Sequence, residues 1–384
     1  MKPLKMPPEA RTEGRGRLVA AVLTGAWRRT PPPLEPTSEE LAEAAPLLLE
    51  SGAGALGWWR VRNSPLQSTP EPTHLQDAYR LYTLRSVIHR RSIADAATLL
   101  RGEGIEPMLV KGWAVARLYP EEGLRPYGDI DLCVRPDQYA AAGAVLNGAR
   151  GRPYVVDLHQ GFARLDGLSW EELYEHAQVL KLGDAEVRVL APEDHLRLLC
   201  VHLLRHGAWR PLWLCDIGAA VEYRPADFDW DRCLGRNRTR AGWVVCAIGL
   251  AHSLLGARVD DTPVSERARH LPGWLVPHVL KNWAAPFPSL YSPNSFERPL
   301  ITYLRRPVGI MRAIRQRWAD PLEATIKVGG PLNDLPRLPF QVANLVWQAV
   351  CFLAKIPRLF EERRSVLLRL SSLGLKTSKQ AIDP

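Results

Sequence analysis

Cysteine is scarce in this sequence of 384 residues. Six cysteines occur, no two of them form a Cys-x-x-Cys pair, and they stand at positions 133, 200, 215, 233, 246 and 351. Isolated thiols at such spacings are not typical of a cysteine zinc site and indicate a reduced protein. We therefore expect no cysteine zinc site and a cytoplasmic location.

The sequence also lacks a hydrophobic run long enough to cross a bilayer. The two longest uncharged stretches, 241–257 and 338–354, have 17 residues each, whereas a spanning helix needs about 20. We interpret both as buried or interfacial helices and predict no transmembrane segment. Near the N-terminus, the uncharged stretch 18–27 runs directly into Arg28 and Arg29 without a small-residue cleavage site, so no secretory signal is expected.

Acidic residues are fewer than basic ones, with 41 Asp and Glu against 50 Lys and Arg, which is a net charge of +9. This surplus favours polyanionic partners such as nucleotides, nucleic acids or anionic lipids, but does not choose among them. The 33 prolines and 28 glycines follow no period, and the chain is 46% hydrophobic and 24% charged. These values exclude collagen-like, coiled-coil and wholly disordered chains and predict an ordinary globular protein.

Helix and strand patterns divide the chain into four predicted segments. They are an N-terminal helical and linker region (1–73), an α/β core with a leading helix (74–190), a helical domain (191–285) and a basic C-terminal helical region (286–384). Predicted helices lie at 16–27, 39–60, 74–104, 113–119, 137–147, 193–207, 211–222, 229–236, 240–255, 264–282 and 340–355. Predicted strands lie at 105–110, 129–134, 154–159 and 186–190. We expect an α/β (α+β) fold, in which a small mixed sheet is embedded in helices from both ends of the chain.

A pair of aspartates marks the second predicted strand. Because side chains alternate along a strand, Asp129 and Asp131 share one face, while Ile130 and Leu132 share the other. Two neighbouring carboxylates repel each other unless a divalent cation lies between them. The pattern therefore indicates either a metal site or a solvated strand face.

Two neighbouring segments favour the metal site. Upstream, Lys111 and Gly112 end a strand and open a helix, a turn where backbone N–H groups and a lysine can hold a phosphate. Downstream, Asp157 and His159 share one face of the third strand, so Asp157 can complete a three-carboxylate cluster. Two-metal phosphoryl chemistry uses such clusters.

An ordered set of motifs resembles the uncharacterised bacterial nucleotidyltransferase family of the polymerase-β-like superfamily. The resemblance spans about residues 75–260, and its motifs are the runs 108–116, 118–120, 125–132, 156–159, 192–194, 199–202, 205–206 and 213–217. It implies that Asp129, Asp131 and Asp157 bind two Mg²⁺ ions, and that Lys111 and Gly112 hold a nucleoside triphosphate. The metals would bridge phosphate oxygens during in-line attack on the α-phosphorus.

The resemblance implies an enzyme that transfers a nucleoside monophosphate from an NTP, with ATP expected, to an acceptor hydroxyl, and that releases pyrophosphate. A peptide, small molecule, protein or tRNA is a candidate acceptor, and peptide or natural-product tailoring is one possible role. Two features differ from the wider superfamily: Trp113 follows Gly112 where Ser or Gly is usual, and the 145–154 connection is short. They support an alternative hypothesis, a catalytically inactive regulator that retains the fold and binds nucleotide or RNA.

Several further side chains have two interpretations. Arg125 either contacts phosphate or pairs with an acidic neighbour, and His159 either packs beside Asp157 or takes a chemical role. His195, His202 and His206 form one helical stripe. That stripe either lines the nucleotide cleft, with His202 and His206 as its candidates, or makes structural hydrogen bonds; a zinc site is less favoured, because the Glu of His-Glu-x-x-His is missing.

The last feature of the sequence with two or more interpretations is a basic segment. Residues 301–318 contain five arginines and no acidic residue. Such a segment binds nucleic acid, contacts an anionic membrane, or is a solvated surface, and neither binding role is favoured.

Overall fold

The computed structural model describes residues 8–151, 154–162, 168–285 and 318–351. The chain forms two compact units, the first comprising Met1–Asn294 with Gly329–Leu335 and the second Ser295–Val328 with Pro336–Pro384. The finer division into four segments stays a prediction.

Four helices precede the sheet in the first unit. They are α1 (Pro8–Leu23), α2 (Ser38–Glu50), α3 (Gly54–Val61) and α4 (Glu71–Gly102). The predicted helix 39–60 is in fact two helices, because Gly52 adopts a φ of +78° between α2 and α3. Helix α2 begins at a capping box, in which Thr37 and Glu40 bond each other's backbone N–H groups.

A five-stranded mixed sheet forms the centre of the first unit. Its strands are β1 (Met108–Leu109), β2 (Ile130–Val134), β3 (Val156–Gln160), β4 (Gln178–Leu182) and β5 (Ala185–Val189), with α5 (Gly112–Ala116), α6 (Tyr139–Asn147) and α7 (Trp170–His176) between them. The strand order is β3-β2-β1-β5-β4. Strands β2 and β3 are parallel, as are β1 and β5, whereas β1 and β2 and also β4 and β5 are antiparallel. The predicted α+β class with a small mixed sheet is confirmed.

Each of the four predicted strands overlaps an observed strand, but β4 was not predicted. Its pairing with β5 leaves Gly183 and Asp184 as a two-residue hairpin loop, and Gly183 has a φ of +62°. A Gly-Asp pair between alternating segments is a hairpin signal that the sequence does contain.

Helices also follow the sheet in the first unit. They are α8 (Pro192–Arg205), α9 (Pro211–Glu222), α10 (Trp230–Leu234), α11 (Arg238–Leu255), α12 (Ser265–Arg269) and α13 (Leu275–Trp283). The single helix predicted over 264–282 is wrong in one respect, because the chain breaks between α12 and α13, where Pro272 and Gly273 lie.

Helices cover both faces of the sheet. On one face, Ile130, Leu132 and Val134 of β2 pack against Ile93 and other residues of α4 and α6. On the other face, Cys133 packs against Leu198 of α8. Because side chains alternate along β2, Asp131 lies on the same face as Cys133, toward α8.

The second unit contains two described helices, α14 (Pro321–Lys327) and α15, which is helical over residues 338–351. The side chain of Asp320 caps α14 by accepting from two backbone N–H groups. The predicted basic segment 301–318 lies outside the described residues except for Trp318. Among the residues that the structure describes, no helix is long and apolar enough to cross a membrane.

Candidate functional site

The parallel pairing of β2 with β3 brings two carboxylates side by side. Asp131 and Asp157 are direct partners in the strand register, so their side chains share one face of the sheet. His159 lies between them, with its Nε2 atom 3.0 Å from Asp131 Oδ1 and 3.2 Å from Asp157 Oδ2. Among the described residues these three side chains form one group whose ligand atoms all lie within 4.8 Å of one another.

Asp131 is the buried member of this group, with 5% of its surface exposed. Burial by itself raises the pKa of a carboxyl. Here the hydrogen bond to His159 and the charge of Lys111, whose Nζ lies 2.5 Å from Oδ1, outweigh burial and hold the pKa of Asp131 below its ordinary value. Asp131 is therefore ionised at neutral pH and held by two cationic or hydrogen-bonding neighbours.

Asp129 and Asp157 differ from Asp131 in exposure. Asp129 lies immediately before β2 and is exposed, and the Asp157 side chain is 53% exposed. Asp129 is not part of the tight group with His159, but it lines the same cavity. The structure thus places all three predicted carboxylates at one opening, with His159 as an additional member.

The turn between β1 and α5 is strained. Lys111 has a φ of +51° although it is not a glycine, and Gly112 follows with a φ of +37°. A positive φ at a residue with a side chain costs about 1–3 kcal/mol and persists only where the surroundings hold it. Gly112 avoids a part of that cost because it has no Cβ.

His195, in the first turn of α8, is one of those surroundings. Its Nε2 atom accepts a hydrogen bond of 3.2 Å from the backbone N–H of Lys111. Burial, together with the nearby charge of Arg117, lowers the pKa of His195 to about 3. The imidazole is therefore neutral, and because Nε2 accepts, the proton is on Nδ1.

Trp113 does not enter the cavity that the aspartates line. Its ring packs against the hydrophobic cluster formed by α4, β2 and β5. Trp113, the bulky residue after Gly112, therefore packs against the core and does not fill the cavity side of the turn.

A helical wall faces the carboxylates across the cavity. It contains His202 and His206 at the end of α8, with ring centroids 4.6 Å apart, and Trp213 of α9, whose ring meets His202 edge-on at 4.5 Å. Trp209 lies 5.3 Å from Trp213, and Arg210 lies beside the same ring. This wall offers flat ring surfaces with positive charge nearby.

Arg210 is anchored from outside the wall. Its Nε donates to the backbone oxygen of Ser51 at 2.8 Å, and a Cβ on Gly52 would collide with its guanidinium. Burial, with the repulsion of Arg125, lowers the pKa of Arg210 to about 10. The turn between α2 and α3 therefore positions an arginine at the cavity.

The cavity has a volume of about 570 Å³ and gathers every candidate residue named from the sequence. These are Lys111, Gly112, Arg125, Asp129, Asp131, Asp157, His159, His202 and His206. The sequence reasoning missed Tyr82 and Arg85 of α4, together with Trp209, Arg210 and Trp213. Helical spacing between His202, His206 and Trp209 was the available signal, although tryptophan is more often a core residue.

Arg125 forms a buried ion pair rather than standing free. Its guanidinium donates to Asp216 of α9 from Nε and from Nη2, the shortest of these hydrogen bonds being 2.7 Å, and Tyr119 donates to the same carboxylate at 2.8 Å. The acidic charge of Asp216 raises the pKa of Arg125 further despite burial. Of the two interpretations, pairing with an acidic residue is what the structure contains, and the pair joins the segment before β2 to the helical wall.

A comparison with protein-family models assigns the chain to a family. The family model described as an uncharacterised nucleotidyltransferase matches residues 43–256, which is more than half of the chain and includes every residue of the cavity. The chain belongs to this nucleotidyltransferase family. Searches of curated proteins and of solved structures find no match. The suspected family is therefore confirmed, and the family match extends further toward the N-terminus than the resemblance did.

The donor set of the candidate site fits a divalent cation. Asp131 and Asp157 offer carboxylate oxygens, the ligands that Mg²⁺ prefers, and His159 adds a nitrogen that Mn²⁺ also accepts. Asp129 adds a third carboxylate at the rim of the cavity. The Lys111 ammonium group forms an ion pair with Asp131 at the same place.

Proposed function

We propose that the protein is a metal-dependent nucleotidyltransferase, which transfers a nucleoside monophosphate from an NTP to an acceptor hydroxyl. The observation that carries the proposal is the register pairing of Asp131 with Asp157 in one cavity with the Lys111 turn, within a chain of this family. In the transfer, the bond from the acceptor oxygen to the α-phosphorus forms, the bond from the α-phosphorus to the bridging oxygen breaks, and pyrophosphate leaves.

We propose that Asp129, Asp131 and Asp157 hold two Mg²⁺ ions. When bound, the ions would neutralise the charge of the triphosphate. Asp157, which is half exposed at the sheet edge, is positioned to accept the proton of the attacking hydroxyl at a carboxylate oxygen. Asp131 is buried and ionised, so its proposed role is to hold charge and not to move a proton.

Lys111 and the Gly112 turn are the proposed triphosphate contacts. In the structure Nζ of Lys111 touches Asp131, so binding of the triphosphate requires the ammonium group to exchange that carboxylate for phosphate oxygens. Arg210 and Arg85, which line the same cavity, supply further positive charge. Arg125 is proposed to contribute indirectly, since its guanidinium already donates to Asp216 and to the backbone oxygen of Pro126.

The rings of His202, His206, Trp209 and Trp213 are the proposed platform for the nucleobase. Stacking tolerates any base, because every base has a flat face. The proposed nucleotide is ATP, and the acceptor is a peptide, small molecule, protein or tRNA. Since β3 is the edge strand among the described strands, none of them lies between the Asp157 side of the cavity and an acceptor.

A cytoplasmic location is also proposed. All six cysteines lie in the described part of the chain, none of them forms a disulfide, and five are buried. Free thiols persist in a reducing compartment.

Labelled nucleotide tests the proposed transfer. The protein is incubated with Mg²⁺, candidate acceptors, and ATP labelled either at the α-phosphate or at the γ-phosphate. We expect the α-label to appear on an acceptor and the γ-label to appear in pyrophosphate, and Asp131→Asn to abolish both. Transfer of the γ-label to an acceptor would contradict the proposal. Tight ATP binding without either product would instead support the inactive regulator that retains the fold, a hypothesis favoured by the contact between Lys111 and Asp131.

A further inference from the structure

The net positive charge of the chain comes from the residues of its second unit. The 83 residues of that unit contain 15 Lys and Arg and 6 Asp and Glu, a net charge of +9 that equals the net charge of the whole chain. The first unit, which contains the nucleotidyltransferase cavity, is left with 35 residues of each sign. An excess of this size in a small unit attracts a polyanionic surface.

In helix α15 of the same unit, the most exposed side chains are apolar, whereas the polar side chains face inward. Its outward half carries only apolar side chains, and the large ones, which are 44–61% exposed, are Leu338, Val342, Val346, Trp347 and Val350.

The inward half of α15 carries all of its polar residues, together with Phe340, Leu345 and Cys351. Asn344 is only 1% exposed, and Gln341 donates from Nε2 to the backbone oxygen of Ala319 at 2.9 Å. A helix on the surface of a water-soluble protein has the opposite arrangement, with its apolar stripe facing the core. The outward face of α15 is therefore better suited to an apolar environment than to water.

A bilayer surface fits both observations. An amphipathic helix that lies in the membrane interface buries an apolar face among the acyl chains, and tryptophan is enriched at that depth. Basic residues next to such a helix are attracted by anionic headgroups. A nucleic acid would be attracted by the positive charge, but its phosphates would make no favourable contact with an exposed face of Val, Leu and Trp.

We propose that the second unit docks on an anionic membrane surface, with Val342, Val346, Trp347 and Val350 of α15 inserted at the boundary between headgroups and acyl chains. The uncharged stretch that contains α15, residues 338–354, has 17 residues and is bounded by Arg337 and Lys355. A spanning helix needs about 20 apolar residues, so the proposal places α15 along the surface. The proposal is independent of the transfer reaction, because it uses none of the residues of the cavity.

Co-sedimentation of the full-length protein with lipid vesicles tests the proposal. One set of vesicles contains only phosphatidylcholine, and the other also contains phosphatidylglycerol. We expect binding to the anionic vesicles only, and weaker binding as salt increases. The double variant Val346→Ser with Trp347→Ser is expected to bind at least about tenfold more weakly, because it removes two inserted apolar side chains.

A matched control replaces exposed apolar residues of the first unit. Leu84 and Ile88 of α4 are 68% and 66% exposed, so Leu84→Ser with Ile88→Ser removes similar surface from a face that the proposal does not use. This control is expected to bind vesicles like the wild type. Equal loss in the two double variants would overturn the proposal, as would equal binding to neutral and anionic vesicles.

Fluorescence provides a measurement that needs no destabilising variant. Lipids brominated on the acyl chain quench tryptophans that enter the bilayer, and we expect them to quench part of the wild-type emission. Trp347→Phe retains an apolar ring, so it should still bind vesicles while losing that quenched part. Quenching that survives in Trp347→Phe, binding of tRNA with no binding of anionic vesicles, or no binding of either would each overturn the proposal.

Discussion

The backbone N–H of Lys111 donates a hydrogen bond to Nε2 of His195, 84 residues further along the chain. This contact ties the strained turn before α5 to the buried start of α8, so the helical wall holds the turn in its left-handed conformation. His195 is buried, and its pKa of about 3 keeps it neutral, which lets it act as an acceptor at neutral pH. The proposed phosphate turn is thus positioned by a residue that does not line the cavity.

Removing the acceptor should loosen the turn. We expect His195→Leu to weaken ATP binding by about 1–3 kcal/mol, because the Lys111 N–H is left without its partner. His195→Gln retains a side-chain oxygen that can accept and should recover a part of the affinity. Titration calorimetry with ATP measures both. Unchanged ATP affinity in His195→Leu would show that the turn does not depend on this bond.

His195 also makes stability depend on pH. Its pKa is near 6.5 in an unfolded chain and about 3 in the folded protein. The unfolded chain therefore binds more protons below pH 6.5, and the stability that the neutral imidazole contributes is present above that pH and is lost as the pH falls toward 3.

Thermal or urea unfolding at several pH values measures this loss. Between pH 6 and 4, His195 should contribute up to about 1.4 kcal/mol of lost stability per pH unit. His195→Gln should remove that contribution and flatten the profile. A variant with the same slope as the wild type would contradict the assignment.

Lys111→Ala tests the proposed phosphate contact. We expect it to weaken ATP binding by about 1–3 kcal/mol more than AMP binding, because the lost ammonium group faces the phosphates beyond the first. Lys181→Ala removes a similar charge from the exposed strand β4 and is the control. Equal weakening of ATP and AMP by Lys111→Ala would place the ammonium group elsewhere.

Asp157→Asn tests the metal. Mg²⁺ or Mn²⁺ should raise the melting temperature of the wild type over that in EDTA, because a ligand that binds only the folded state stabilises it. In Asp157→Asn that increase should be small or absent, while the protein without metal melts much as the wild type does, since the side chain is half exposed. Asp137→Asn, at an exposed residue outside the cavity, should retain the full increase. A metal-induced increase that Asp157→Asn retains in full would remove this carboxylate from the site.

Asp216→Ala should be the most destabilising of these changes. It leaves Arg125 buried without its carboxylate, and breaking a buried ion pair in this way costs about 3–5 kcal/mol. Asp95→Ala breaks an exposed pair with Arg91 and should cost about 0–1 kcal/mol. Urea unfolding compares the two. Similar small losses in both variants would show that the Arg125 and Asp216 pair does not hold the wall to the sheet.

The sequence predicted on which strands and on which faces the carboxylates lie. Alternation along β2 places Asp131 opposite Ile130 and Leu132, and the same alternation places Asp157 with His159 on β3. Helix α9 was predicted at its observed bounds, Pro211–Glu222, since proline at its start and apolar spacing along it are local signals. Such features depend on residues a few positions apart, which is the range over which a sequence pattern is informative.

Only the tertiary structure decided which distant residues pair with those that line the cavity. The partners of Lys111 and Arg125 lie 84 and 91 residues away in the sequence, and neither His195 nor Asp216 has a local pattern that distinguishes a partner from any other buried polar residue. Likewise, the spacing of Leu84 and Ile88 in α4 and of Val342 and Val346 in α15 predicts helices but does not say which face is covered. Burial and long-range pairing depend on what the rest of the chain brings against a residue, and that is set by the packing of whole elements rather than by their own sequence.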